Sequence, residues 1–145
     1  MSAVGRLLAI DYGTKRTGIA ITDTLQIIAT GLTTVSTHTL FAFLKQYMEK
    51  ETVDCVVVGL PRQSNNEPSE NLKNVESFTK KLAKLYPTLN IQLYDERYTS
   101  VLAHRAMIDG GLKKKDRANK ALVDEISAVI LLQSYMESKQ YNDQK

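Results

Sequence analysis

One cysteine, two histidines and no tryptophan occur in 145 residues. Cys55, inside VDCVVVG, cannot close an intrachain disulfide, so a disulfide scaffold is excluded. Its thiol reads as a small core hydrophobe in a reducing, intracellular setting. His38 and His104 stand far from any partner motif, which argues against a zinc site or a catalytic dyad and leaves capping or surface roles. Without tryptophan, and with Tyr12 and Tyr98 the aromatics beside the polar motifs, no stacking platform for single strands is visible. Long apolar runs are also missing. Four apolar residues before Asp11 are too few for a signal peptide, and AVILL at 128–132 cannot span a bilayer. A soluble, cytoplasmic protein with no membrane partner is expected.

What is present has the size of one domain, 1–145, with 43% hydrophobic residues to build a core. A net charge of +3 and a pI near 8.9 suit a polyanionic partner but fall short of a strongly basic nucleic-acid binder. No repeat or low-complexity segment interrupts the chain. Residues 6–11 are apolar on both alternations, as in a central strand covered on both sides. TGIAITD and residues 27–36 follow as strands of an antiparallel meander. Helical spacing covers 38–51, with Ser36 or Thr37 as cap. VDCVVVG reads as a buried parallel strand stopped by Gly59 and Pro61. A helix carrying Leu72, Val75, Phe78, Leu82 and Leu85 leads to the strand IQLYDE. Residues 99–109 form a helix ended by Gly110-Gly111, and a last helix runs from about 120 to 138. A right-handed crossover then gives an α/β fold, a mixed five-stranded sheet of order 3-2-1-4-5 flanked by helices.

Three carboxylates stand where apolar runs end or turn: Asp11, Glu96 and Asp124. The first two leave parallel strands at the carboxyl edge, where open α/β sheets bind ligands. Asp124 shares a helical stripe with Ser127, Ala128 and Leu131, whose small members permit close contact with the sheet. Three converging carboxylates repel one another unless a divalent cation compensates them, which points to Mg²⁺ or Mn²⁺ and phosphoryl-transfer chemistry. Singly, each acid has a structural explanation: a turn cap, a pair with Arg97 or Arg105, a complement to the helix dipole. Asp23, Asp95, Asp116 and Glu125 are second choices, Glu125 because it turns roughly 100° from Asp124 on the helix. Gly13 permits a tight turn, and Gly18 leaves the second strand open to close approach by a backbone. Lys15 and Arg16 can then meet phosphate, and Arg97, Lys113, Lys114, Lys115, Arg117 and Lys120 can steer a nucleic-acid strand.

The segments AIDYGTKRTGIA, VVVGLP, DERYTS and VDEISAVILLQSY, in this order and spacing, resemble the bacterial YqgF family of pre-16S rRNA nucleases and Holliday-junction resolvases. The resemblance covers nearly the whole chain. It implies a ribonuclease-H-like fold related to the RuvC resolvase, with Asp11, Glu96 and Asp124 as catalytic acids holding two Mg²⁺ or Mn²⁺ ions. It further implies a nuclease that processes the 5′ end of precursor 16S rRNA in ribosome biogenesis. Branched DNA is the alternative substrate, and a non-catalytic RNA- or ribosome-binding protein the alternative role. A monomer or weak homodimer fits. Asp-x-Gly-Thr also resembles the phosphate turn of actin-like ATPases, but those need a second similar domain, for which 145 residues leave no room.

Overall fold

Residues 5–60, 71–95 and 120–143 are described by a computed structural model. The chain order is β1 (Arg6–Tyr12), β2 (Arg16–Thr22), β3 (Ala29–Ser36), a 3₁₀ turn (Thr37–Thr39), α1 (Leu40–Lys50), β4 (Val53–Leu60), α2 (Asn71–Leu85), β5 (Asn90–Asp95) and α3 (Lys120–Asp143). The five strands form one sheet of order β3-β2-β1-β4-β5, as expected. β1 pairs antiparallel with β2 and β2 with β3, whereas β1, β4 and β5 run parallel. The helix expected over 99–109 lies outside the described residues.

Alternation splits the sheet into two unequal faces. On one, Leu8, Ile10, Ile19, Val56 and Val58 pack with Leu40 and Leu44 of α1 and with Val75, Phe78 and Leu82 of α2. Large branched side chains fill that layer. On the other, Leu7, Ala9, Ala20, Cys55 and Val57 meet Ala128, Leu131 and Leu132 of α3. Small residues dominate there on the β1 and β2 side, so α3 lies close to the sheet. Cys55 is buried and forms no disulfide, in the core role composition assigned to it. Tyr135 of α3 stacks edge-on against Tyr94 of β5, their centroids 6.2 Å apart. Burial pushes the Tyr135 phenol up to about 12.

β4 runs through Gly59 to Leu60 and α3 continues to Asp143 rather than about 138, and two element starts differ from the expected ones for traceable reasons. β3 begins at Ala29 rather than 27, because Asp23 takes the backbone donors ahead of it. Its Oδ1 accepts from the Ile27 and Ile28 N–H groups, both at 2.8 Å, and its Oδ2 from Leu25 N–H at 3.1 Å. The first helix starts at Leu40 behind a 3₁₀ turn, and neither Ser36 nor Thr39 caps it through a side chain. The Thr37 hydroxyl is engaged elsewhere, as described next.

Candidate active site

β1 ends at Tyr12, and the return into β2 takes three residues. Gly13 makes that return possible: a Cβ there would strike the Arg16 carbonyl. Neighbouring elements pin the turn. The Thr37 hydroxyl donates to Gly13 O at 2.6 Å, and Thr37 N–H donates to Lys15 O at 2.9 Å. Because a hydroxyl carries one proton, Thr17, 2.9 Å away, donates to Thr37. Asn71 at the start of α2 donates to Tyr12 O at 2.8 Å. Thr37 and Asn71 are supports that sequence reading missed, since they reach across 24 and 59 positions. The hydroxyls of Ser36-Thr37 were a visible signal, but one that pointed to a helix cap.

Asp11 continues the Leu7, Ala9 alternation, so its half-buried side chain belongs to the α3 face. In the ladder it stands directly opposite Gly18. A Cβ on Gly18 would collide with the backbone carbonyl of Asp124 and lie 3.1 Å from Glu125 N. The second turn of α3 therefore rests on bare β2 backbone. Since opposed residues in an antiparallel pair lie about 5 Å apart, the peptide of Asp124 sits one strand from Asp11. This is the close approach that glycine at 18 permits. Arg16, two positions before Gly18 on the same face, donates from Nε to Asp124 Oδ2 at 3.0 Å. The Arg16 and Asp124 side chains are 39% and 26% exposed, so the pair is partly wet.

Several second choices resolve differently. Asp23 lies at the opposite edge of the sheet, beyond the end of β2, and is consumed by its own loop. Glu125 crosses to β3, where a Cβ on Gly31 would come within 2.7 Å of its Cγ, two strands from Asp11. Tyr12 turns away from the acids and packs on Phe78 with centroids 5.1 Å apart, so it is a core residue. Lys15 is exposed on the turn. Glu96, Arg97, Lys113, Lys114, Lys115, Arg117 and Asp116 lie outside the described residues, and of Lys120 only the backbone, opening α3, is described. Tyr94, two positions before Glu96, belongs to the α3 face and pairs with Gly59. Among the described residues no group of three metal-ligating side chains assembles. The structure brings together Asp11, Asp124 and Arg16.

An antiparallel three-stranded half joined to a parallel pair, with the last helix packed over the strands, defines the ribonuclease-H-like fold. RuvC of T. thermophilus shares that fold: a structure of it in complex with a Holliday junction substrate gives a TM-score of 0.52 at 15% identity, covering 91% of this chain and 96% of that one. The chain belongs to the RuvX Holliday junction resolvase family, whose model matches residues 5–138. A protein of Phocaeicola vulgatus named "Putative pre-16S rRNA nuclease" is 62% identical over 138 residues, 95% of this chain and 99% of its own length. The Bacteroides thetaiotaomicron protein of the same name is 61% identical over 138 residues, 95% of this chain and 100% of its own.

Proposed function

We propose that this protein is a divalent-metal-dependent endonuclease, acting in the cytoplasm as a single domain, that processes the 5′ end of precursor 16S rRNA. The observation that carries it is the seating of Asp124 on Gly18, opposite Asp11, which puts two carboxylates on one face at the carboxyl edge of the sheet. The choice of substrate is supported by the name shared by relatives that cover nearly the whole chain.

The residues present fit a hard divalent cation. Carboxylate oxygens are the donors that Mg²⁺ and Mn²⁺ prefer, and a guanidinium already lies against Asp124, so this edge attracts positive charge. Asp11, Asp124 and Glu96 would hold the metal, two ions being the complement that the nuclease reading calls for. The chemistry such ions supply is acidification of water and neutralisation of charge on the phosphate. The chain's own contribution is placement. The Gly13 turn, tied by Thr37 and Asn71, fixes the end of β1 and hence Asp11, while Gly18 fixes the height of Asp124. Lys15, exposed on that turn, meets a backbone phosphate, and Arg97, Lys113, Lys114, Lys115, Arg117 and Lys120 extend the contact along the strand. A monomer or weak homodimer suffices for RNA.

A second reading, cleavage of branched DNA, is favoured by the description of the matched family. Cleavage of end-labelled precursor 16S rRNA and of a four-way DNA junction, each with Mg²⁺ and with Mn²⁺, separates them. Cutting of the RNA near its mature 5′ end is the expected result. Preferential cutting of the junction would transfer the assignment to DNA, and binding of RNA without cutting either would favour a non-catalytic role.

A further inference from the structure

Arg16 has two roles: it is a basic residue beside the β1–β2 turn and the ion-pair partner of Asp124. Those two roles compete for one guanidinium. We propose that Arg16 is the resident counter-ion of the acidic edge, holding Asp124 in the metal-free protein and competing with the divalent cation for that carboxylate. The inference rests on the metal-dependent reading above and adds a positioning residue to it.

Three observations carry it. First, the contact is light: one Nε–H to one carboxylate oxygen at 3.0 Å, between side chains that both reach solvent. Ion pairs of that exposure are weak and exchange readily, whereas a divalent ion held by several carboxylates carries twice the charge. Second, neither backbone can follow the exchange. Asp124 is seated on Gly18, and Lys15, the residue before Arg16, is tied through its carbonyl to Thr37 N–H at 2.9 Å. Release is therefore a rotation of the Arg16 side chain, with the acids left where they stand. Third, Arg16 and Asp124 are 108 positions apart, so the pair bridges β2 and α3 at the same edge as Asp11. An arginine that remained as a fixed orienter of Asp124 in the loaded protein would have the opposite effect on affinity, which makes the proposal testable by sign.

The test is a calorimetric Mn²⁺ titration of the intact protein and of Arg16→Gln, Arg16→Lys and Asp124→Asn. Removing a competing cation from a partly solvated carboxylate predicts Mn²⁺ binding about three- to tenfold tighter in Arg16→Gln. Arg16→Lys, which keeps the charge, should stay near the parent. Weaker or unchanged binding in Arg16→Gln would overturn the proposal, while leaving the metal-dependent reading intact so long as Asp124→Asn loses the ion. No Mn²⁺ binding to the parent protein at millimolar metal would sink both. A second readout needs no variant: the Arg16 Nε–H resonance, followed by NMR, should shift on titration with Mg²⁺ as its carboxylate partner is lost. An unchanged resonance at saturating metal would contradict displacement.

Discussion

Gly18 decides more than its size suggests. It is the place where the peptide of Asp124 touches the sheet opposite Asp11, so any side chain there lifts the start of α3 and carries the carboxylate with it. Gly18→Ala is expected to destabilise the fold by about 2 kcal/mol, in the range of overpacking substitutions. Thermal unfolding should move down by about 4–8 °C, the shift such a loss produces at this chain length. Under the proposed metal-dependent mechanism cleavage should fall further than stability does, because a displacement of Asp124 by even a fraction of an ångström misplaces a proposed metal ligand; activity measured well below the unfolding temperature separates the two effects. The hypothesis of Lys15 as a phosphate contact has its own signature. Lys15→Ala should weaken RNA binding for all sequences alike and lower the slope of log affinity against log salt by about one; an unchanged slope would remove Lys15 from the interface.

At the scale of elements, two tethers hold the ends of strands. Thr37→Val deletes the hydroxyl that bonds Gly13 O and receives the Thr17 proton, leaving both without that partner. A loss of about 1–3 kcal/mol is expected, the cost of unsatisfied buried polar groups, and amide exchange in 13–17 should quicken. The Asp23 loop predicts a pH dependence. Its carboxyl is held below the ordinary 3.8 chiefly by the Ile28 N–H, with Ile27 and Leu25 adding to it against some desolvation. A carboxyl depressed in the native state stabilises above its unfolded value and loses that contribution as pH falls through the native one. Asp23→Ala should therefore unfold at a lower temperature than the parent at pH 7, and the gap should close as acid takes the pH below 3.8; a gap constant down to pH 2 would refute the linkage. The same elements explain what the sequence disclosed. Strand order, the two-faced sheet and the stripe Asp124, Ala128, Leu131 were legible, because alternation and helical spacing are local properties of the chain. Gly18 was legible as an open surface. The start of β3 and the first helix cap were misread, since Asp23 and Thr37 spend their hydrogen bonds on partners that spacing alone does not reveal. The Arg16 to Asp124 pair, spanning 108 positions, left no local trace.

For the whole molecule, the division of labour follows the sheet. The α1 and α2 face, with large branched residues, supplies the thicker core, and the α3 face gives up bulk so that a helix can bring its acid against the strands. No described helix is long and apolar enough to cross a membrane. A net charge of +3 gives only modest attraction to a polyanion, so discrimination among nucleic acids has to come from placement of contacts around the acids rather than from overall field. The chain belongs to the RuvX Holliday junction resolvase family and shares the fold of RuvC, and the active site proposed above lies at that edge. The most direct measurement is metal-dependent cleavage of precursor 16S rRNA by Asp11→Asn and Asp124→Asn beside the parent, with binding to the same RNA measured in parallel. Each substitution removes one carboxylate charge at nearly constant shape, and cleavage should fall at least about a hundredfold, in line with loss of a group that stabilises the transition state, while affinity for RNA changes little. Cleavage that survives both substitutions would contradict the account, because the two carboxylates seated about Gly18 would then not be where the phosphodiester is cut.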